Sequence, residues 1–353
     1  MATSRPQTAA EAEIRPSSAL PLMQLATSFW AFKTLAVAND LDLFSKVSER
    51  NGMTASELAA ELSIELRPAD MLLAGCASLG LLAKQEGRYL NSEIAEQFLV
   101  AGRRYYFGGW INMLDKRLYH GWDKLGQAIR ANAPTTWDPA TQNSLFEGLD
   151  PVMLSTFWEA MHSLSTLTAR ALGQAVDLRS YRRLLDVGGG SGAFDLELCR
   201  AYPQLEATVY DLAPVARIAQ AKAAEADLSN RVSTIAGNFF TDREFPRGYD
   251  LILFSMILHD WDERQDRDLL RKCYEALEPG GAVLISELLM NDDKTGPPAA
   301  ALMDINMLIE TEGGRNYTAA EYGEWLRETG FTDIKVIEFA APGATGVVMG
   351  TKG

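Results

Sequence analysis

The chain has few cysteines and histidines, and it contains no long uninterrupted hydrophobic run. Its three cysteines, Cys76, Cys199 and Cys273, lie far apart in apolar surroundings, so neither a disulfide framework nor a zinc site is indicated and we expect no metal. No stretch approaches the roughly 18 apolar residues that span a bilayer, and the N-terminus has no basic-then-apolar signal pattern. We therefore expect a cytoplasmic protein with no membrane partner.

Basic residues are also in the minority, because 33 Lys and Arg stand against 47 Asp and Glu, for a net charge of -14. An acidic surface repels phosphate backbones, so the composition argues against nucleic acid as a partner. The length of 353 residues, with 47% hydrophobic residues, suits two domains with sizeable cores. Only residues 1–17, with two prolines and several small polar residues, are expected to form a disordered tail.

The N-terminal part, residues 18–105, has the pattern of a winged helix. Apolar residues at helical spacing predict a mostly buried helix from Ala19 to Leu43. Thr54 and Glu57 form a capping box that opens a second helix, and a third helix at 68–79 and two short strands at 81–90 follow. Residues 54–100 carry seven acidic and three basic side chains, which favours dimerisation over DNA binding.

The predicted secondary structure changes after residue 180, from helices to alternating strands and helices. Helical patterns over 105–131 and 150–175 predict a connector, 106–180, whose aromatic residues form core or, alternatively, a substrate wall. Strands then alternate with helices through 181–353, which predicts an α/β domain whose sheet is covered on both faces. Strands are predicted at 183–187, 207–211, 232–236, 250–255, 282–287, 333–338 and 347–351, the last two antiparallel.

A glycine-rich turn joins the first of these strands to a helix. Glycines at 188, 189, 190 and 192 allow the backbone to turn sharply and to approach a ligand, which suits either a dinucleotide or S-adenosylmethionine. Asp211 ends the next strand, where a carboxylate receives the ribose hydroxyls that both cofactors carry. Asp186 favours S-adenosylmethionine, because its carboxylate can meet the methionine ammonium and would repel a pyrophosphate.

His259 is the one histidine in the α/β half of the chain. It follows a strand by a few residues and is expected on the same sheet edge as the glycine turn, where a base would face a methyl donor. On spacing alone a packed or capping histidine remains the alternative. Glu287 ends the following strand and could fix the imidazole tautomer, although an exposed strand-end glutamate is equally compatible with its position.

From about Met23 to Val348 the chain resembles the two-domain small-molecule O-methyltransferases, a family that includes caffeic acid and hydroxyindole methyltransferases and many bacterial antibiotic-pathway enzymes. The resemblance is carried by LDVGGGSG at 185–192, VYDL at 209–212, GNFF at 237–240, HDW at 259–261 and EPGG at 278–281. It implies a Rossmann-like methyltransferase sheet with an N-terminal winged-helix dimerisation domain. It also implies a homodimer that methylates a hydroxyl, expected to be phenolic, of a small aromatic secondary metabolite with S-adenosylmethionine.

The resemblance also implies roles for individual residues. His259 would be the general base, with Glu287 beside it and Asp260 completing the catalytic set. The positions expected at the cofactor are Ser165, Asp186, Gly188, Gly190, Asp211, Leu212, Asn238, Phe239 and Ser255. Those expected at the substrate are Asn112, Met113, Phe157, Met161, Met307, Thr311 and Asn316.

Three departures from the plant members of the family stand out. Asn316 replaces a second glutamate beside the base, which would reduce a two-carboxylate clamp on His259 to one. Asn238 replaces an acid that meets the adenine but can still hydrogen-bond its edge. Ser255 replaces a lysine and keeps only a short polar contact. These changes place the chain nearer to bacterial secondary metabolism.

Methylation of a phenol requires removal of its hydroxyl proton, which His259 would accept. A phenol near pKa 10 and a histidine near 6.5 differ by about 3.5 units, so proton transfer is better coupled to methylation than completed before it. One rival keeps the fold and cofactor but methylates carbon or nitrogen, or catalyses a non-methylating reaction. The others are a winged-helix ligand-sensing regulator and a nicotinamide oxidoreductase.

Overall fold

The computed structural model describes residues 18–142 and 151–353. The predicted tail, residues 1–17, lies outside the described residues. Within the part of the chain that the structure describes, no helix has the length and apolar character needed to cross a membrane.

The N-terminal helical segment differs from its prediction in two ways. Two helices, α1 Leu20–Ala26 and α2 Ser28–Asp40, replace the single helix expected over 19–43, and an unpredicted helix, α3 Leu43–Glu49, begins where that helix was expected to end. Burial was predicted wrongly as well, since Leu22, Leu25 and Trp30 are between 63% and 72% exposed. Apolar periodicity shows that a helix has an apolar face, but it does not show which partner covers that face.

The predicted winged-helix arrangement is present. Helices α4 Ala55–Leu62 and α5 Leu66–Ser78 precede the hairpin of β1 Leu82–Gln85 and β2 Arg88–Asn91, and an unpredicted helix, α6 Glu93–Phe98, follows. The capping box of α4 is complete: Glu57 N donates to Thr54 Oγ1 at 3.2 Å, and Thr54 N donates to the Glu57 carboxylate at 2.7 Å.

The connector is less regular than its sequence suggests. The continuous helix expected over 105–131 is divided into α7 Gly108–Met113, a π-helical turn Leu114–Leu118, α8 Tyr119–Trp122 and α9 Leu125–Ala131. A π-helical turn shifts the register of a helix by one residue and is not visible in hydrophobic spacing. Helix α10, Pro151–Ala175, agrees with its prediction and packs against α7 and against the first helix of the α/β domain.

The α/β domain contains a seven-stranded sheet in the order β5, β4, β3, β6, β7, β9, β8. The strands are β3 Arg183–Val187, β4 Glu206–Asp211, β5 Val232–Ala236, β6 Tyr249–Ser255, β7 Leu277–Glu287, β8 Phe331–Ala341 and β9 Ala344–Lys352. β3 to β7 are parallel, and β9 is antiparallel to both of its neighbours. All seven predicted strands and the antiparallel final pair are confirmed.

Five helices complete this domain: α11 Ala193–Ala201, α12 Ala213–Glu225, α13 Glu263–Ala276, α14 Pro298–Glu310 and α15 Ala319–Thr329. The sequence predicts helices at 192–201, 213–226, 263–277 and 319–329, which correspond to α11, α12, α13 and α15, whereas α14 was not predicted. The sheet has a core on each face because successive side chains of a strand point to opposite sides. In β6, Ile252 and Phe254 belong to the cluster that includes α13 and α15, and Leu251 and Leu253 belong to the cluster that includes α10 and α11.

The sheet register brings several strand ends to one edge. Val187 pairs with Tyr210 and Ser255 pairs with Ser286, so β3, β4, β6 and β7 all end at the same level. β3 is also the point where the strand order reverses, with β4 on one side and β6 on the other. Open parallel sheets bind ligands outside their carboxyl ends at such a point.

Candidate active site

A cavity of about 420 Å³ opens at this edge of the sheet. Its wall combines the glycine turn, the end of β4, the segments 237–240, 255–257 and 260–261, and part of α10. Of the predicted catalytic residues, Asp260 lines the cavity, whereas His259 and Glu287 are buried beside it. All of the predicted cofactor positions line it, namely Ser165, Asp186, Gly188, Gly190, Asp211, Leu212, Asn238, Phe239 and Ser255. Of the predicted substrate positions, Phe157 and Met161 line it as well.

The glycine turn needs glycine for two reasons. Gly188 and Gly190 have φ angles of 71° and 59°, in the left-handed region that other residues adopt only with strain. A Cβ atom on Gly188 would lie 2.5 Å from Cδ1 of Ile257, and one on Gly190 would lie 3.2 Å from the Trp158 ring. Glycine at these positions therefore keeps the cavity open beside the backbone.

Two carboxyl groups lie together beneath this turn. Asp186 is 1% exposed and Asp195, in α11, is fully buried. Among the described residues, Asp186 Oδ2 and both oxygens of Asp195 lack a hydrogen-bond donor. Burial raises the pKa of both groups, that of Asp195 to about 7, and the neighbouring Asp195 raises the pKa of Asp186 further. Asp186 lines the cavity and Asp195 does not, so an ammonium group on a ligand could supply positive charge to the pair through Asp186. The site therefore fits the amino acid end of S-adenosylmethionine.

Asp211 connects the end of β4 to the glycine turn. Its Oδ2 accepts from Gly190 N at 2.9 Å and its Oδ1 accepts from Leu212 N at 2.6 Å. Burial raises the pKa of Asp211, whereas these two N–H groups act in the opposite direction. Each oxygen retains a lone pair, so Asp211 can still accept from the hydroxyls of a ribose.

The opposite part of the cavity has an aromatic wall and two polar side chains. Phe240 meets Phe239 and Trp261 edge to face, with ring centroids 4.8 Å and 4.5 Å apart. Asn238 Oδ1 accepts from Phe240 N at 2.9 Å, so its Nδ2 is the atom left for an adenine edge. Ser255 Oγ is buried without a partner among the described residues, and a ligand could satisfy it.

The chain turns abruptly after β6. Met256 has a φ of 54°, which is rare for a side chain of this size and often marks a functional turn. The backbone N–H groups of Ile257 and Leu258 then donate to Glu287 Oε1 at 3.1 Å and 3.2 Å. The end of β7 therefore fixes the 3₁₀ turn Leu258–Asp260 that carries His259.

The same glutamate binds the imidazole. Glu287 Oε2 lies 2.5 Å from His259 Nδ1, and the two residues are 1% and 4% exposed. Burial lowers the pKa of His259, but the charge of Glu287 and its hydrogen bond outweigh this effect and raise the pKa to about 9. The contact predicted between neighbouring strand ends is present. Because Nδ1 is occupied, Nε2 is the nitrogen left for a reacting proton.

A second carboxylate lies near the ring, although not the one that the family pattern suggests. Asp260 Oδ1 is 3.5 Å from His259 Nε2. Burial raises the pKa of Asp260 to about 6, against the charge of His259, which lowers it. Asn316 instead donates from Nδ2 to the carbonyl of Leu288 at 2.6 Å and makes no described hydrogen bond to the histidine. His259 therefore has two acidic neighbours, Glu287 at Nδ1 and the adjacent Asp260 near Nε2.

Five predicted substrate positions do not line the cavity: Asn112, Met113, Met307, Thr311 and Asn316. Asn112 accepts from the Asn39 side chain at 2.9 Å, and Thr311 donates to the carbonyl of Met307 at 2.8 Å. Met113 is buried in a cluster that includes Phe157. The role of these five residues in substrate binding remains a prediction, because of the predicted substrate positions only Phe157 and Met161 line the cavity.

Several cavity residues were missed by sequence reasoning: Trp158, Gly189, Ser191, Phe194, Gly237, Phe240, Met256, Ile257 and Trp261. Five of them lie inside the quoted motifs but were assigned no individual role: Gly189, Ser191, Gly237, Phe240 and Trp261. The others lie within a few residues of a motif or a predicted site residue. The contact between His162 Nδ1 and Ser191 Oγ, at 2.8 Å, had no such signal, since it joins α10 to the glycine turn.

Two families match the chain. An O-methyltransferase domain matches residues 122–332, and an O-methyltransferase dimerisation domain matches residues 23–101. The 3-hydroxy-5-methyl-1-naphthoate 3-O-methyltransferase of Streptomyces sahachiroi is 47% identical over 94% of each chain.

The chain belongs to the O-methyltransferase family. It is an enzyme that uses S-adenosylmethionine, and the regulator and nicotinamide alternatives are wrong. The human N-acetylserotonin methyltransferase in complex with SAM has the same fold, with a TM-score of 0.85, 25% identity, and coverage of 97% of this chain and 100% of that one. The L-tyrosine C(3)-methyltransferase of Streptomyces lavendulae is 32% identical over 91% of this chain and 90% of its own.

Proposed function

We propose that this O-methyltransferase methylates the phenolic hydroxyl of a fused-ring aromatic acid of the hydroxynaphthoate type, with His259 as its general base. The observation that carries the proposal is the buried contact between His259 and Glu287 beside the cavity. The substrate class is supported by the relative at 47% identity, whose name gives a hydroxyl on a naphthoate as its target.

The cavity residues divide into those that would hold the cofactor and those that would act on the substrate. S-adenosylmethionine, when bound, supplies a methyl carbon that its sulfonium charge has already activated. Asp186 would bind its ammonium, Asp211 its ribose hydroxyls, and Asn238 with Phe239 its adenine. Phe157 and Met161, which line the cavity from α10, would contact the aromatic ring of the substrate.

His259 would accept the hydroxyl proton on Nε2, while Glu287 stabilises the imidazolium through Nδ1. With a pKa of about 9 for the ring, the gap to a phenol near 10 narrows to about one unit, or about 1.4 kcal/mol if the transfer were complete. An unperturbed histidine would face about 3.5 units. Correct alignment of oxygen and methyl carbon can contribute roughly 7 to 11 kcal/mol more.

We also propose a homodimer formed through the exposed face of α1 and α2. Apolar side chains that are 47% to 72% exposed cover this face: Leu20, Leu22, Met23, Leu25, Phe29 and Trp30. The matched dimerisation domain, 23–101, includes most of them. A substitution such as Trp30→Glu should convert the dimer to a monomer in sedimentation analysis, and a monomeric wild-type enzyme would contradict the proposal.

The reaction itself is tested with S-adenosylmethionine and a panel of hydroxynaphthoic acids, with L-tyrosine as a second acceptor. Mass spectrometry should show a gain of one methyl group on the aromatic acids, and the product should have lost its exchangeable phenolic proton. Methylation of a ring carbon, in tyrosine or in the naphthoates, would overturn the O-methyl assignment for this site.

A further inference from the structure

Irregular backbone after an edge strand forms one wall of the cavity. β5 pairs only with β4 in the sheet, and the wall segment that follows it, residues 237–242, contains neither a helix nor a strand. Asn238, Phe239 and Phe240 of this segment line the cavity. Because fixing irregular backbone in one conformation costs entropy, the wall segment needs contacts with its neighbours to keep these side chains in place.

Lys272, in α13, binds the backbone of the wall segment. Its half-buried ammonium donates to the carbonyl oxygens of Phe239 at 2.7 Å, Phe240 at 3.4 Å and Asp242 at 2.7 Å. A lysine ammonium has three N–H donors, so this contact can use all of them on one segment. Lys272 does not itself line the cavity. It therefore supports the wall without being part of it.

The charge of Lys272 matters to the conformation of the wall segment. Three carbonyl groups that converge on one point need a donor there, and a hydrogen bond from a charged donor is stronger than one from a neutral donor. The carbonyl of Phe239 binds Lys272 while the ring of Phe239 lines the cavity, so rotation of this part of the backbone moves the ring. Loss of the ammonium would therefore change the shape of the cavity.

A carboxylate fixes the other side of the wall segment. Asp242 Oδ2 accepts from Asn238 N at 3.1 Å and from the hydroxyl of Tyr210 at 2.7 Å. Tyr210 precedes Asp211 in β4, and Gly237 N donates to the carbonyl of Asp211 at 2.9 Å. The wall segment is thus tied both to β4, which carries the proposed ribose carboxylate, and to α13.

We infer that Lys272 is a positioning residue for the cofactor, which holds Asn238 and Phe239 where they bind the adenine of S-adenosylmethionine. The inference rests on the proposed function for the adenine contacts of these two residues. Because the ribose separates the adenine from the sulfonium that reacts, the wall segment binds the cofactor equally in the ground state and in the transition state. Lys272 therefore affects KM for the cofactor and not kcat.

Steady-state kinetics of Lys272→Met test this inference. We expect KM for S-adenosylmethionine to rise about tenfold, while kcat at saturating cofactor stays within about twofold of the wild type. Lys272→Arg should recover most of the affinity, because a guanidinium also donates to several carbonyls. If Lys272→Met does not fold, Lys272→Gln keeps an N–H donor without the charge and should show a smaller rise in KM. An unchanged KM, or a loss confined to kcat, would overturn the inference.

Lys352 provides a matched control. Its ammonium donates to the carbonyls of Tyr274 and Leu277, both at 2.7 Å, and none of these three residues lines the cavity. Lys352→Met and Lys272→Met should both lower the melting temperature, whereas only Lys272→Met should raise KM for the cofactor. A similar rise in KM in both variants would show a general loss of stability and would contradict the positioning role.

Binding without turnover shows which part of the cofactor depends on Lys272. Calorimetry compares S-adenosylhomocysteine with 5′-methylthioadenosine, which keeps the adenine and the ribose but lacks the amino acid group. Because the wall segment would contact the adenine, Lys272→Met should weaken the binding of both ligands by the same factor, about tenfold. A loss for S-adenosylhomocysteine alone would place the effect at the amino acid end and refute the inference.

Phe239→Ala separates this inference from the proposed function on which it rests. The adenine assignment predicts that Phe239→Ala weakens the binding of 5′-methylthioadenosine at least as much as Lys272→Met does. Weakening by Phe239→Ala without weakening by Lys272→Met would overturn the role of Lys272 alone. If neither variant weakens binding, the adenine assignment is wrong and the inference fails with it. If cofactor binding depends on Lys272 but no aromatic acid is methylated, the proposed reaction fails and the inference stands.

Discussion

Two buried pairs of titratable groups flank the active-site cavity, and they differ in the sign of their charges. The acid pair is Asp186 with Asp195, and the imidazole pair is His259 with Glu287. Burial raises the pKa of both members of the acid pair, so it tends to hold a proton. In the imidazole pair burial alone would lower the pKa of His259, but the charge of Glu287 raises it to about 9.

The difference teaches that burial by itself does not set the protonation state. Removal from water disfavours every charge, and the partner decides whether the charge survives. The acid pair lacks a cation and is suited to receive one from a ligand. The imidazole pair contains its own counter-ion and therefore retains an imidazolium at neutral pH. The four predictions below test this contrast, from the largest expected effect to the smallest.

Removing the imidazole should have the largest effect. We expect His259→Gln to lower turnover by about a hundredfold or more, because the proton acceptor is lost while the acid pair is unchanged. Calorimetry should show S-adenosylmethionine affinity within about twofold of the wild type. Undiminished turnover would refute the assignment of His259 as base and leave alignment as the main source of catalysis.

The pH profile tests whether Glu287 controls the imidazole. Because the pKa of His259 in the free enzyme is about 9, the neutral base is scarce at pH 7, and kcat/KM should rise about tenfold per pH unit up to about 9. In Glu287→Gln burial lowers the pKa of His259 and is opposed only by the charge of Asp260, so the rise in kcat/KM should move to lower pH while the maximal rate falls. If kcat/KM rises over the same pH range in the wild type and in Glu287→Gln, a group other than His259 controls the profile.

Neutralising one member of the acid pair should weaken cofactor binding. We expect Asp186→Asn to lower the affinity for S-adenosylmethionine roughly tenfold, since the ammonium loses its charged partner. Asp195→Asn is the matched control, because it removes the like charge that raises the pKa of Asp186 and leaves the Asp186 carboxyl group in place, so affinity should be retained. An equal loss in both variants would assign the pair a structural role.

The smallest expected effect is the number of protons that the enzyme releases when the cofactor binds. The ammonium should favour the ionised form of the acid pair, so cofactor binding near pH 7 should release up to one proton, and affinity should decline as the pH falls below about 7. Calorimetry in two buffers of different ionisation enthalpy measures this number. Asp195→Asn removes the like charge, although burial still raises the pKa of Asp186, so the release should become smaller. An undiminished release in this variant would place the proton elsewhere.

Much of this site follows from local sequence. The glycine run at 188–192, Asp211 at the end of β4 and Glu287 at the end of β7 are strand-end features, and parallel strands deliver such residues to one edge. The contact of His259 with Glu287 could therefore be predicted. By contrast, Asp195 resembles an ordinary helix residue, and only packing shows that it lies against Asp186.

Other errors have the same origin. The apolar face of α1 and α2 predicted burial, yet the chain itself leaves it exposed. Position 316 was considered as a neighbour of the imidazole, but the Asn316 side chain donates to the carbonyl of Leu288. In each case the residue type was evident from the sequence, but its partner depended on how distant segments pack.

The sequence by itself determined the order of the strands along the chain, the glycine turn and the edge of the sheet at which the reacting groups meet, because these depend on local periodicity and on backbone freedom. Only the tertiary structure decided which charges share a buried environment. Asp186 meets Asp195, His259 meets Glu287, and Arg117 meets Glu310 across 193 residues of chain. Electrostatic interactions depend on distance and on exclusion of water, and neither is encoded in the spacing of residues along the chain.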